Sequence, residues 1–225
     1  MSRLLLSSAL VVVALGHGQT VEQIVARNIA ARGGAKRLQA LVSQSLTGTL
    51  AFAPNPGQAF HAEMMRPGKI RQEISAELTQ VSDGKAGWTL RANKSPELMP
   101  ASQVHDLAGS ADMEGPLFHY QQKGNKIEFA GKDTIEGRPV YKLIITMKDG
   151  TQRTDYIDSK TYLELKWEGV VGGQKMETFF HDYRKVKGLA YSFSMDSSGP
   201  GFQQKLVFSK IEVNPKLPDS RFTKP

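Results

Sequence analysis

Residues 66–90 read R-P-G-K-I-R-Q-E-I-S-A-E-L-T-Q-V-S-D-G-K-A-G-W-T-L. Ile70 and Ile74 alternate with Arg71 and Glu73, the period-2 pattern of a strand with one buried face. Arg66-Pro67-Gly68 turns the chain ahead of it. Asp83-Gly84 is a tight-hairpin signal between a segment at 78–82 and Gly87-Trp88-Thr89-Leu90. These residues predict successive antiparallel strands.

The same period extends outward in both directions. Leu46, Leu50 and Phe52 share a face, and Pro54-Asn55-Pro56-Gly57 turns the chain. Phe60, Ala62 and Met64 alternate with His61 and Glu63. Beyond residue 124, Ile127 and Phe129 alternate; Tyr141, Leu143, Ile145 and Met147 share a face before Asp149-Gly150. After a strand at 154–157, Leu163, Leu165 and Trp167 alternate with Glu164 and Lys166 up to Gly172-Gly173. Met176, Thr178 and Phe180 share a face, as do Tyr191, Phe193 and Met195, and residues 206–213 form the last strand. The expected fold is mainly β with helices (α+β), a meander of about 11 strands. Sheets that large curl or close, because strands twist.

Two helical regions interrupt the pattern. Thr20 and Gln23 fit a capping box, Val21, Ile24, Val25 and Ile29 lie on one helical face, and Gly33-Gly34 stops the helix. A short amphipathic piece at 35–42 follows, with Leu38 and Leu41 apolar. Between Asn93 and Gly124 helix formers replace β-branched residues. Pro100 opens one expected helix, with Val104, Leu107, Ala108 and Ala111 on a shared face. Pro116 opens a second, with Leu117, Phe118 and Tyr120, closed by Gly124. Together they form an insertion that covers part of the sheet.

Arg3 followed by the apolar run 4–15 and the small residues Ala14, Gly16 and Gly18 is the layout of a cleavable secretory signal over 1–18. That run is shorter than the ~20 residues a spanning helix needs. Residues 19–225 are expected to form one domain, and the site of action outside the inner membrane. The 225 residues contain no cysteine, which excludes disulfides, thiol catalysis, thiolate metal sites and an N-terminal lipidated cysteine. The formal charge of +7 is spread among acids with no basic block, so nucleic acid is not an expected partner.

Catalytic signatures fail one by one. G-x-S-x-G and the P-loop are missing, and Gly169-Val170-Val171-Gly172-Gly173-Gln174-Lys175 reads as a hairpin turn. His17, His61, His105, His119 and His181 do not pair at metal-site spacing. Asp155 and Asp158 flank a turn, and spacing alone marks no acid–base partner for either. The expectation is a protein without catalytic residues, metal or cofactor, although distant residues can converge into a hydrolase site. Large apolar side chains on the sheet faces, roofed by the insertion, point instead to a core or a cavity that holds one small ligand.

The stretch from Arg66 to Ile74, followed by Gln80-Val81-Ser82-Asp83-Gly84-Lys85 and Trp88, resembles the strand-turn-strand core of the LolA-like family of periplasmic lipoprotein carriers. Tyr156-Ile157-Asp158-Ser159-Lys160-Thr161-Tyr162, the run from Phe180 to Val186, and Ile211-Glu212-Val213-Asn214-Pro215 are similar to outer-membrane lipoprotein-sorting proteins of that group. The resemblance covers most of residues 19–225. It implies an unclosed antiparallel β-barrel with a helical lid, and acyl chains held in the hollow between them. It also implies a monomeric periplasmic carrier of lipoproteins or other lipids, between an inner-membrane donor and an outer-membrane acceptor. Arg66 matches the family arginine that latches the lid. The C-terminal half and the helical insertion are longer than in the carrier.

The expected lining of that hollow is Leu50, Phe52, Met64, Trp88, Leu90, Leu143, Ile145, Phe180 and Phe193 from the sheet, with Leu107, Leu117 and Phe118 from the lid. Methionines such as Met64, Met147, Met176 and Met195 suit a wall that adapts to variable chains. The alternative reading is an envelope sensor or scaffold on the same fold, with a filled interior and an exposed apolar patch for a protein partner.

Overall fold

The computed structural model describes residues 19–224; the expected signal segment at 1–18 lies outside the described residues. Helices α1 (Val21–Ala31) and α2 (Ala35–Gln39) come first. They lead into β1 (Ser43–Phe52), β2 (Gln58–Met65), β3 (Lys69–Ser75), β4 (Leu78–Ser82), β5 (Gly87–Arg91) and the short β6 (Glu97–Leu98). Helix α3 (Ala101–Ser110) then precedes β7 (Lys126–Ile135), β8 (Arg138–Thr146), β9 (Gln152–Asp158) and β10 (Glu164–Val171). The chain continues through β11 (Gln174–Val186), β12 (Leu189–Gly199) and β13 (Phe202–Val213), and a 3-10 turn at Asp219–Arg221.

All 13 strands join one sheet in the order β6-β5-β4-β3-β2-β1-β13-β12-β11-β10-β9-β8-β7, and every neighbouring pair is antiparallel. The meander thus folds back on itself, so that β1 pairs with β13 and the edges β6 and β7 stay unjoined. Residues 99–125 cross from one edge to the other and roof the inner face. The count exceeds the expected 11 because strands as short as β6 carry no readable alternation.

Local chemistry sets the element ends. Thr20 Oγ1 accepts from Gln23 N and the Gln23 side chain accepts from Thr20 N, the expected capping box. Gly33, at φ +120°, stops α1, and a Cβ there would lie 2.4 Å from Gly188 O. In the turn after β4, Asp83 Oδ1 accepts from Lys85 N and Ala86 N, both at 2.8 Å. Those N–H groups hold its carboxyl below the usual carboxylate range. Asp158 does the same for Lys160 N and Thr161 N. Asn214 fastens β13 to the start of β1, accepting from Val42 N and donating to Ala40 O, both at 2.9 Å.

The insertion departs from its expected form in one respect. Helix α3 is present, but residues 116–124 are a series of turns, with His119 at φ +52°. The reason lies in packing. Leu117 joins a cluster with Ile24, Val25, Tyr141, Leu143 and Ile145, while its neighbour Phe118 joins another with Leu38, Met64, Ile70 and Leu107. Turns let adjacent side chains serve two cores, which one helical face cannot do.

Candidate ligand-binding face

Directly opposed residues of antiparallel strands share a face, so the register sorts every side chain. Phe180 opposes Met195, Met195 opposes Leu206, and Leu206 opposes Leu50. The next row runs Trp167, Thr178, Ser197, Gln204, Phe52. This inner face also carries Met64, Phe193, Leu143 and Ile145. Trp88 falls elsewhere: it opposes Val81, which opposes Arg71, which opposes Glu63. Glu63 meets Arg221 of the C-terminal turn at 2.7 Å, and the inward residue of β5 is Gly87, next to Met99 and Val104. Trp88 and Leu90 therefore face outward, away from the lid, whereas the other ten expected lining residues lie on the inner face or in the lid.

The space directly beneath the lid is filled, where an apolar hollow was expected. Met99, Leu107, Ala111, Met113 and Phe118 are all buried and pack on Leu38, Leu41, Met64, Ile70, Leu189 and Val213. Farther from the lid the inner face is less covered. Phe52, Trp167, Met176, Phe180, Met195 and Phe202 are only half-buried there. Two hollows of about 670 and 520 Å³ open mainly on the outer face, beside Glu168, Lys175 and Glu177, and beside Phe179, Asp196 and Lys205.

Polar ties hold the lid segment down. Arg66 pairs with Glu114 and donates to Leu38 O at 3.4 Å. Arg32 donates to the backbone carbonyl of the same Glu114. Lys123 grips Asp112 at 2.6 Å and Gly115 O at 2.8 Å, and His105 of α3 meets Asp149 at 2.7 Å.

The inner face also holds a charged cluster. Arg153 lies 2.7 Å from Asp155, which is fully buried, and 2.9 Å from Glu164; its guanidinium stands 5.5 Å from the Trp167 ring. Tyr183 closes the cluster by donating to Glu164 O at 2.8 Å. Burial, with the Asp155 charge adding to it, pushes the Glu164 carboxyl up to about 8 against the pull of Arg153 and Arg32. Burial also raises the Tyr183 hydroxyl. Asp155 thus does gain a carboxylate neighbour, one that sequence spacing did not reveal. The available signal was Arg153-x-Asp155 on the face where Ile157 points into the core.

Among the described residues no group of three or more His, Asp and Glu could hold a metal ion, and no helix is long and apolar enough to cross a membrane.

No protein-family model matches the sequence, and no curated protein matches it. Solved structures do. A DUF1329 family protein from Desulfovibrio piger aligns over 90% of this chain and 97% of its own, with 13% identity and a TM-score of 0.62. A protein domain named for outer membrane lipoprotein sorting, from Vibrio parahaemolyticus, aligns over 89% and 95%, with 14% identity and a TM-score of 0.60. A LolA superfamily protein from Nitrosomonas europaea aligns over 92% and 99%, with 14% identity and a TM-score of 0.60. At such identities the likeness is one of fold alone, and it makes this chain, with its open antiparallel sheet roofed by helical and turn segments, LolA-like in fold.

Proposed function

We propose that the protein is an exported carrier or binding protein for acyl chains, of lipoproteins or of other lipids. It acts in the periplasm as a monomer between an inner-membrane donor and an outer-membrane acceptor. The observation that carries this reading is the row of half-buried apolar side chains Phe52, Trp167, Met176, Phe180 and Met195 on the inner face beyond the lid. Such a surface is left short of contacts by the protein itself. Each methylene laid on it gains roughly 0.8 kcal/mol when fully buried. The polar ties at Glu114 can break without disturbing the sheet, which gives the lid a route to open over a longer chain. The shared fold with a LolA superfamily protein supports the same reading.

The test is lipid extraction from protein purified from its native host, followed by uptake of a fluorescent fatty acid. Bound lipid, and uptake that Phe180→Asp abolishes, are the expected results. Repeated preparations with neither bound lipid nor uptake would remove the proposal. The filled space under α3 favours the second reading, a scaffold or sensor without cargo. Its mark is the absence of uptake together with a protein partner retained from the envelope.

A further inference from the structure

Strand direction puts five separate segments at one end of the sheet. These are α2, the turns at 66–68 and 83–86, the turn at 186–188, and the tail after β13. Contacts confirm that they adjoin. Arg66 N donates to Val42 O at 3.0 Å, and Asn214 ties the tail to Ala40 and Val42. A Cβ on Gly188 would lie 2.7 Å from Arg37 Nε, and one on Gly84 would lie 2.8 Å from Pro67 O.

These segments are cationic. Lys36, Arg37, Lys85, Lys185, Lys187 and Lys216 are all exposed, and none has an acidic partner among the described residues. Residues 35–42, 185–188 and 214–217 contain no acid. Asp83 is occupied by backbone N–H groups and Asp219 by Lys69. The three central turns at the opposite end, residues 53–57, 171–174 and 199–201, contain no charged residue. Much of the net positive charge is thus gathered at the α2 end. Val42, 56% exposed, stands in the middle of it.

We propose that this end of the sheet docks on an anionic phospholipid bilayer through Lys36, Arg37, Lys185, Lys187 and Lys216, with Val42 at the centre of contact. Lysines without acidic partners on several turns, with Lys187 held by its Nζ on Val213 O at 2.7 Å, suit a diffuse negative plane better than the fixed geometry of an acidic protein site. Polybasic surfaces of this kind bind anionic leaflets additively, within a Debye length. The Arg66–Glu114 tie stands at the same end, so the docked face adjoins the fastening of the lid. The proposal does not depend on cargo: a protein with an empty inner face would still bind.

Vesicle flotation at low salt tests it, with phosphatidylglycerol mixed into phosphatidylcholine, and with phosphatidylcholine alone as the neutral control. The full chain without residues 1–18 floats with the anionic vesicles only, and high salt releases it. The triple variant Lys36→Gln, Lys185→Gln, Lys216→Gln loses about 100-fold in partitioning, at about fivefold per cation. The variant Lys94→Gln, Lys148→Gln, Lys175→Gln has the same net charge but alters positions at or near the opposite end of the sheet, and it loses less than about tenfold. Equal loss in both variants, or a parent protein that ignores anionic vesicles, overturns the proposal. Fatty-acid uptake measured on the same samples reads the carrier function separately.

Discussion

Arg66, in the turn after β2, forms an ion pair with Glu114 of the lid segment, bridging 48 positions of sequence. Arg32 holds the backbone of the same residue, so two arginines from different elements converge on one point of the lid. Because the Arg66 side chain is 38% exposed, water screens the pair, and such pairs contribute only ~0–1 kcal/mol. A pair that weak suits the proposed carrier, whose lid would have to release. Arg66→Leu is therefore expected to leave the melting temperature nearly unchanged. It should raise amide exchange in α3 and residues 111–118 by up to about fivefold. Exchange equal to the parent protein's would remove the latch.

Gly87 lets the lid sit close. A Cβ at that position would stand 2.9 Å from Met99 Sδ and 3.0 Å from Val104 Cγ2. A methyl group can be absorbed by the flexible Met99 side chain, but a branched residue cannot. Gly87→Ala should fold with α3 in place. Gly87→Val should push α3 off β3 and β4, lowering stability by ~1–3 kcal/mol and exposing Met99 and Leu107 to a hydrophobic dye. If Gly87→Val is as stable as Gly87→Ala and binds no more dye, α3 is not seated against β5.

The charged cluster on the inner face sets a pH dependence whose sign follows from Glu164. Its carboxyl, held up to about 8 by burial beside Asp155, keeps a proton that the unfolded chain releases near 4.5. Between those values the native state binds more protons than the unfolded state, so this group's contribution falls as pH rises and levels off above about 8. Glu164→Gln mimics the protonated form. The variant should match the parent at acidic pH and exceed it in urea midpoint by pH 8. Parallel midpoints for the two proteins from pH 5 to pH 8 would show that Glu164 is ionised throughout.

What could be read in advance divides along physical lines. The strands of residues 46–91 and 141–213 were legible because one face meets the core and the other meets water, which leaves a period of two. The capping box at Thr20 and the Asp83-Gly84 turn were legible because backbone geometry there demands particular side chains. Residues 116–124 read as a helix because Pro116 and Gly124 are the right punctuation for one. Only the division of Leu117 and Phe118 between two clusters decides against it. Trp88 and Leu90 read as lining because the resemblance implies a hollow walled by the large apolar side chains of the sheet. Their true side is fixed by register through Val81, Arg71 and Glu63, and by Gly87 taking the inward place under Met99. The Arg153–Asp155–Glu164 cluster joins residues of two strands across a register shift between Glu164 and Lys166, which no local spacing encodes.

The two tryptophans stand on opposite faces, and this gives the inner-face assignment its sharpest test. Trp167 belongs to the inner row with Thr178 and Ser197, half-buried beside Arg153, while Trp88 lies on the outer face with Val81. The chain contains only these 2 tryptophans, so each can be watched alone. An acyl chain laid along Phe180 and Met195 displaces water near Trp167 and leaves Trp88 untouched. In Trp88→Phe, added fatty acid should shift the remaining emission to the blue in a saturable way. In Trp167→Phe, the same additions should leave the emission of Trp88 unchanged. A response from Trp88 alone would place the ligand on the outer face of the sheet. The half-buried inner row would then be nothing more than loosely covered core.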